Sequence, residues 1–319
     1  MGLFSRKKDT AVEPSTPTPA TEPPPATASF PVGIKVWVEC EDATVDICFV
    51  HGLTGDRDHT WTFKGQAEPW PKTLIPEALA EVAKRRGVQK TPRARILTYG
   101  YDAYVVKTEV SSKNGLRDHA KHFLDQIVGD REMSDAVGRP LILVAHSLGG
   151  LVSKKAILIS RNNPQPHLED LYKSVKGIAF MGVPHRGSWM ANWATFPISA
   201  FGIVKSTNTT ILKILKTDDP LLQDTQKEFW SMIRKEREGG RNLGVTCFFE
   251  ELPLAVVGKR VVNQESATLE GYDEVCIHAN HSDMVKFDSK EHDGFKSLFG
   301  ALVRWGTRSV DLSQVSGTA

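Results

Sequence analysis

From residue 32 onward, short runs of β-branched and aromatic residues alternate with segments whose apolar residues recur every three to four positions. Several of the short runs are apolar at nearly every position, which is typical of parallel strands covered by helices on both faces. The predicted strands are Val45–Val50, Ala94–Thr98, Leu141–Val144, Val175–Met181, Val245–Phe249 and Arg260–Val262. The predicted helices are Leu116–Val128, Leu151–Ile159 and Gly294–Trp305. This alternation predicts an α/β protein with a mostly parallel, doubly wound sheet.

The first 31 residues follow a different pattern. Seven of the chain's 18 prolines lie there among Thr, Ala, Ser and Glu, and large hydrophobic residues are few. Such a segment buries too little apolar surface to offset its chain entropy. We therefore expect a disordered tail over 1–31, one domain over 32–308 and a second disordered tail over 309–319. The basic start, Arg6-Lys7-Lys8, is interpreted as part of a solvated tail, with organelle targeting as the alternative.

Composition and charge exclude some functions. The chain has 40 Lys and Arg against 38 Asp and Glu, a formal charge of +2, so nucleic acid is not an expected partner. No apolar run approaches the roughly 18–20 residues that a membrane-spanning helix needs. The four cysteines stand singly in apolar, strand-like runs, which indicates reduced core thiols. We expect an intracellular protein, cytoplasmic or peripherally associated with the mitochondrion or endoplasmic reticulum.

The strongest chemical signal is the stretch 145–150, Ala-His-Ser-Leu-Gly-Gly, between an apolar strand and a helical pattern. This is the setting of a nucleophile elbow, in which a tight strand-to-helix turn projects a serine hydroxyl into the active site. The crowded turn demands small residues on both sides of the serine, and Ala145 and Gly149 meet that demand. We therefore expect Ser147 to be a nucleophile, with the Leu148 N–H as one oxyanion donor.

A second strand exit has the sequence His51-Gly52-Leu53. A serine hydrolase needs another N–H donor for the oxyanion, from a loop that follows an earlier strand. The Leu53 N–H is the candidate, and an ordinary glycine turn is the alternative interpretation.

The general base should be a histidine on the loop after the last strand, since the chain order in α/β-hydrolases is serine, acid, histidine. His281 is preferred because it stands clear of the strand, and His278, at the strand end, is the alternative. Their H-x-x-H spacing has no third ligand cluster beside it, so no metal and no cofactor is expected.

The acid should lie at a strand end before the histidine loop. Glu250 is the preferred candidate, and Glu265 and Glu251 remain alternatives. Each of the three is also compatible with a solvated charge at a strand exit.

With these residues placed, the chain resembles the lipase-like serine esterase group of α/β-hydrolases, which includes the serine-active-site-containing protein of mitochondria and its fungal relatives. The matching segments are 49–56 with Thr60-Trp61, Trp70-Pro71 with 74–76, 94–101, 146–152, 180–188, 248–250 and 281–287. The resemblance implies an α/β-hydrolase fold and an acyl-enzyme mechanism. It carries the catalytic roles onto Ser147, Glu250 and His281, and the oxyanion donors onto Leu53 and Leu148. The chain departs in having Ala145 where the group usually has Gly.

The stretch from about 187 to 240 is rich in apolar residues at helical spacing. We interpret it as a lid insert over the active site, and packing onto the body is the alternative. A lid implies a lipid or other acyl ester as substrate, and the reaction could be that of an esterase, a thioesterase or a transacylase. The alternative function is a catalytically idle hydrolase fold that serves as a signalling or scaffold module.

The basic run Lys84-Arg85-Arg86 is interpreted as a solvated helix end. Peripheral membrane contact through lipid headgroups is the alternative. The oligomeric state is not predicted.

Overall fold

The computed structural model describes residues 1–2, 31–52, 55–101, 115–185, 220–255 and 257–316 of the chain. Within these residues the strands are Gly33–Val38 (β1), Val45–Val50 (β2), Ala94–Gly100 (β3), Leu141–His146 (β4), Val175–Met181 (β5), Gly244–Glu250 (β6) and Asp273–Ile277 (β7). The helices are Trp70–Arg86 (α1), Gly115–Met133 (α2), Leu148–Arg161 (α3), Pro166–Ser174 (α4), Pro220–Glu238 (α5), Gln264–Ala267 (α6) and Asp293–Ser316 (α7). His59–Trp61 and Val88–Lys90 form short 3₁₀ turns.

The described strands form one sheet in the order β1-β3-β2-β4-β5-β6-β7. Strand β1 runs antiparallel to β3, and every other pair is parallel. Strands β2, β3 and β4 are buried at every position, because helices cover both faces of the sheet. These findings confirm the predicted α/β fold class with a mostly parallel, doubly wound sheet.

The hydrophobic core has two layers, one on each side of the sheet. One layer packs α2, α3 and α5 against the sheet through residues such as Phe123, Leu151 and Phe229. The other layer packs α1 and α7 through Trp70, Ile75, Phe295 and Leu298. Because β2 to β7 run parallel, their carboxyl ends all lie at one edge of the sheet, which we call the carboxyl edge. Loops at that edge are where the chemistry of open α/β sheets is found.

The prediction of a strand at Arg260–Val262 is wrong. These residues lie in a loop, and only the preceding Lys259 forms an isolated bridge, with Leu254. The side chains of Val261 and Val262 are buried, so their apolar character reflects packing. Their N–H groups bond to a carboxylate instead of a neighbouring strand. A short apolar run does not distinguish these two uses of the backbone.

Helix α7 runs past the predicted domain boundary at residue 308 and continues to Ser316. After Gly306 no glycine or proline interrupts the pattern until Gly317, so the helix has no local signal to end earlier. The rest of the two predicted tails, residues 3–30 and 317–319, lies outside the described residues. None of the helices that the structure describes is long and apolar enough to cross a lipid bilayer.

Candidate active site

Ser147 joins the end of β4 to the start of α3 in a strained turn. Its φ of 52° and ψ of −124° lie in a region that few residues other than glycine adopt. The turn is held by the Ser147 N–H, which donates to the Met181 carbonyl at 3.0 Å, and by the Gly150 N–H, which donates to the Ser147 carbonyl at 3.0 Å. The Ser147 Oγ is buried and makes no hydrogen bond with any described residue. The hydroxyl is therefore not engaged in holding the turn.

Close packing around the turn explains the small residues in its sequence. A Cβ atom on Gly149 would lie 2.3 Å from the His51 carbonyl oxygen, so only glycine fits there. A Cβ atom on Gly52 would lie 2.9 Å from the Ser147 Cβ. The exit of β2 thus lies directly against the serine turn. Leu148 is the first residue of α3, whereas Leu53 lies outside the described residues.

His281 follows β7 and lies at the same edge of the sheet as Ser147. Met181, which accepts the Ser147 N–H, is followed by Gly182, and a Cβ atom on Gly182 would lie 2.9 Å from the His281 ring. The His281 Nδ1 lies 2.5 Å from the Glu250 Oε2. Both side chains are buried, with 3% of His281 and none of Glu250 exposed. The structure therefore places His281 and Glu250 in contact, and it places Ser147 at the same edge of the sheet.

The second oxygen of Glu250 is held by the loop that follows β6. Glu250 Oε1 accepts hydrogen bonds from the N–H groups of Val261 and Val262, the latter at 3.1 Å. Because all these groups are buried, the carboxylate is held in one orientation toward the His281 ring. A carboxylate paired in this way selects the Nδ1–H tautomer of the imidazole and leaves proton exchange to Nε2.

The alternative residues lie elsewhere. His278 and Glu251 bond to each other, with 2.8 Å between the His278 Nδ1 and the Glu251 Oε2, and their side chains are exposed. Glu265 is exposed on α6. The geometry therefore favours His281 and Glu250 over the other candidates.

His51 and Tyr101 support the exit of β2, a role that the sequence alone does not indicate for either residue. The Tyr101 N–H donates to the His51 Nε2 at 3.2 Å, and the Tyr101 hydroxyl donates to the His51 carbonyl at 3.0 Å. The two rings stack with their centroids 4.5 Å apart. Since Nε2 accepts a proton donor, His51 is the Nδ1–H tautomer, and that group donates to the Gly52 carbonyl at 2.8 Å. The network orients the backbone beside Ser147.

Two histidines at the site are held neutral. Burial lowers the pKa of His51 to about 4. Burial, together with the charges of His281 and Lys286, lowers the pKa of His146 well below its ordinary value. Near neutral pH both rings therefore act as hydrogen-bonding groups without charge.

A pocket of about 600 Å³ opens beside the loop that carries His281. One wall is formed by Asp283 and Lys286, which come shortly after His281 in the chain. The facing wall is the segment after β2, and it contributes His59, Thr62, Phe63, Lys64, Gly65 and Gln66. Most of the lining surface is apolar, although Lys64 and Lys286 are among the lining residues.

Within the described residues there is no group of three or more His, Cys, Asp or Glu that could hold a metal ion. Most of the predicted lid insert, residues 186–219, lies outside the described residues. Its described end is α5, whose Phe229, Met232 and Ile233 pack into the core. That part of the insert follows the alternative interpretation of packing onto the body.

Comparison with known proteins identifies the family. A family model described as "Putative serine esterase (DUF676)" matches residues 45–238, more than half of the chain. The chain belongs to the DUF676 family. The resemblance to serine esterases stated from the sequence is thereby confirmed, and family membership supports hydrolase activity in general.

Curated relatives extend the match beyond the DUF676 segment. Protein SERAC1 of Danio rerio is 30% identical over an alignment of 269 residues, with 77% of this chain and 37% of the relative covered. Protein SERAC1 of Homo sapiens is 25% identical over 275 residues, 78% of this chain and 37% of the relative. This DUF676 chain thus spans little more than a third of the length of these relatives. Among solved structures, the mature lipase BlEst2 of Bacillus licheniformis has a TM-score of 0.45 and 17% identity, with 85% of this chain and 97% of that chain covered.

Proposed function

We propose that this DUF676 protein hydrolyses carboxylic esters of acyl or lipid substrates through a Ser147–His281–Glu250 triad. The observation that carries the proposal is the buried hydrogen bond between His281 and Glu250 beside a strained serine turn. A buried carboxylate–imidazole pair is not expected to stabilise the fold more than apolar residues of the same size would. Orientation of a general base explains why these two polar residues are buried together.

In the proposed mechanism the Ser147 Oγ attacks the ester carbonyl carbon, and its proton passes to the His281 Nε2. The tetrahedral intermediate collapses when Nε2 gives this proton to the departing alkoxide, which leaves as an alcohol. Water then attacks the acyl-enzyme, and its proton also passes to Nε2. The acid is released as Ser147 regains a proton, so one ester and one water yield one acid and one alcohol.

The oxyanion is assigned to the N–H groups of Leu148 and Leu53. Leu148 begins α3, where free amide groups and the helix dipole favour negative charge. The support for Leu53 is that its neighbour Gly52 packs against Ser147. Two such donors contribute a large part of transition-state stabilisation in acyl transfer.

The pocket beside Asp283 and Lys286 is assigned to part of the ester, because these two residues closely follow His281 in the chain. Its lining surface is mostly apolar, which fits an acyl chain or another apolar group of the substrate. Thioesters and acyl acceptors other than water are tested in the same assay.

The test is labelling by a fluorophosphonate probe followed by product analysis with esters of graded acyl length. We expect labelling of the wild-type protein and none of Ser147→Ala, with free acid released from at least one ester. A Ser282→Ala variant, which changes a neighbouring serine in the His281 loop, should be labelled like the wild type. Folded protein that shows no Ser147-dependent labelling would contradict the proposal and favour the scaffold alternative.

A further inference from the structure

His146, the residue before Ser147, contacts the loop that carries His281. It is the last residue of β4, and only 8% of it is exposed. Its Nε2 lies 3.1 Å from the main-chain carbonyl oxygen of His281, and the two rings are 4.9 Å apart at 40°. A buried imidazole thus connects the nucleophile turn directly to the backbone of the base.

The tautomer of His146 follows from this contact. A carbonyl oxygen only accepts hydrogen bonds, so the His146 Nε2 bears the proton and donates it. The opposite side of the ring faces the exit of β2, because a Cβ atom on Gly52 would lie 3.1 Å from the His146 Nδ1. His146 is therefore enclosed between the Gly52 backbone and the His281 loop.

We propose that His146 is a positioning residue that holds the His281 main chain, and with it the imidazole, in line with Ser147. The inference rests on the proposed function, because it assigns His146 a role through the triad. Glu250 bonds to one ring nitrogen of His281, and the position of the ring also depends on the position of its main chain. The bond from His146 restrains that main chain. A displacement of about 1 Å in a reacting group costs on the order of 100-fold in rate, so a single such bond matters.

Neutrality of the ring is part of the same role. His281 gains a positive charge in each proton transfer, and a second cation 4.9 Å away would oppose it. Burial keeps His146 uncharged, so it offers a donor without that repulsion. Lysine or arginine could donate to the same carbonyl but would carry the charge.

The experiment compares His146→Gln with His146→Asn. The Gln amide nitrogen can occupy the position of the histidine Nε2, whereas the shorter Asn amide corresponds to Nδ1 and does not reach the carbonyl. We expect His146→Gln to label Ser147 with fluorophosphonate within about 3-fold of the wild-type rate. His146→Asn should be about 10- to 100-fold slower, with kcat for an ester lowered equally and KM unchanged.

His278→Leu is the control, since it changes an exposed histidine of the same loop and should leave the rate unchanged. Thermal unfolding establishes that each variant is folded at the assay temperature. Equal rates for the Gln and Asn variants, or an effect on KM alone, would overturn the positioning role. Absence of Ser147-dependent labelling in the wild type would instead refute the proposed function itself, so the two failures are distinguishable.

Discussion

Ser147 combines a strained backbone with the hydroxyl that is proposed to act as the nucleophile. Its backbone has a positive φ, a state that costs on the order of 1–3 kcal/mol for a residue with a side chain. Two main-chain hydrogen bonds, to Met181 and from Gly150, hold it there. Its buried hydroxyl has no bond to the described residues, so the strain serves to present that oxygen.

At the residue scale, Glu250→Gln tests whether Glu250 is the acid that orients His281. Gln keeps the size of the side chain and an oxygen for the Val261 and Val262 N–H groups. Its amide would donate toward the His281 Nδ1 and select the wrong tautomer, so kcat should fall by about 10³- to 10⁴-fold. Steady-state kinetics with the best ester of the panel provides the measurement.

Glu251→Gln and Glu265→Gln are the matched controls for this prediction. Both side chains are exposed and neither contacts His281 in the described contacts, so kcat should change less than about 2-fold. A large loss in either control, with Glu250→Gln active, would reassign the acid.

At the scale of elements, the serine turn and the exit of β2 form a single packed unit. Gly149 on α3 lies against the carbonyl groups of Val50 and His51, and Tyr101 fixes His51 from the end of β3. The exit of β2 and the serine turn therefore cannot move independently. A change that separates them should impair chemistry before it unfolds the domain.

Gly149→Ala is the substitution that separates these elements. The new methyl group would lie 2.3 Å from the His51 carbonyl oxygen, so the β2 exit must shift away from Ser147. We expect at least about a 10-fold loss of the Ser147 labelling rate. Gly129→Ala on α2 is the matched control, because its methyl group meets nothing within 4 Å and should stabilise the helix by about 0.5–1 kcal/mol. Similar behaviour of the two variants would contradict the packing argument.

Lys154 connects helix α3 to the segment after β5 and to helix α5. Its Nζ, on α3, lies 2.6 Å from the His185 Nδ1 after β5 and 2.5 Å from the Gln226 Oε1 on α5. Phe180 and Phe229 flank the amine, and Cys247 on β6 contacts the other side of the His185 ring. The side chain is completely buried, and burial lowers its pKa to about 7.

The Lys154 pKa predicts how stability depends on pH. The unfolded chain keeps this proton up to the ordinary pKa of 10.5, whereas the folded protein loses it near pH 7. Between these pH values the unfolded state binds more protons than the folded state. The contribution of Lys154 to the free energy of unfolding therefore rises with pH by up to about 1.4 kcal/mol per pH unit. Below about pH 7 both states bind the proton, so this contribution no longer changes with pH.

Urea unfolding at several pH values between about 7 and 10 tests this dependence. Lys154→Met should remove the rise, so the stability of the variant and of the wild type diverge as the pH increases. Parallel curves over the whole range would show that Lys154 stays charged when folded. Lys176→Met serves as a control, because that lysine is partly exposed and its pKa is lowered less.

At the scale of the molecule, the two ends of the parallel strands differ: one carries the candidate active site and the other a buried ion-pair network. The carboxyl edge carries Ser147, His281 and Glu250. At the opposite edge, Asp46 and Arg131 form a buried ion pair of 2.6 Å, and Arg139 contacts the other Asp46 oxygen at 3.0 Å. Ser174 also bonds to Arg131 at 3.2 Å, so the network joins the starts of β2, β4 and β5 to α2.

Arg131→Met tests whether the ion-pair network affects stability without affecting the reactivity of Ser147. The substitution leaves the Asp46 carboxylate buried with Arg139 as its remaining ion-pair partner among the described residues, and it should cost about 3–5 kcal/mol of unfolding free energy. The double variant Asp46→Asn/Arg131→Met should recover much of that loss, since the completely buried carboxylate is no longer charged. Both proteins should label at Ser147 normally at a temperature where they are folded. Loss of labelling in folded protein would show that the two edges are coupled.

The sequence by itself determined the fold class, five of the seven described strands and the position of the serine turn. Val45–Val50 and Val175–Met181 were predicted with their observed bounds, because an apolar run that is buried on both faces is a local signal. Ser147 was predicted to lie in a tight turn for the same reason, because the demand for small residues around such a turn is expressed within six positions. Strand β1 was missed because its edge position leaves it half-exposed and its pattern weak.

Only the tertiary structure decided which carboxylate meets which histidine. The sequence favours Glu250 but leaves Glu251 and Glu265 open, because their distinction depends on which side chain is turned inward and which amide groups donate to it. Val261 and Val262 illustrate this, since they look like a strand and instead bind the Glu250 carboxylate. The roles inferred for His146 and Tyr101 are of the same kind. Their partners are distant in sequence or are main-chain atoms, and a contact with a main-chain atom leaves no trace in the identity of the partner residue.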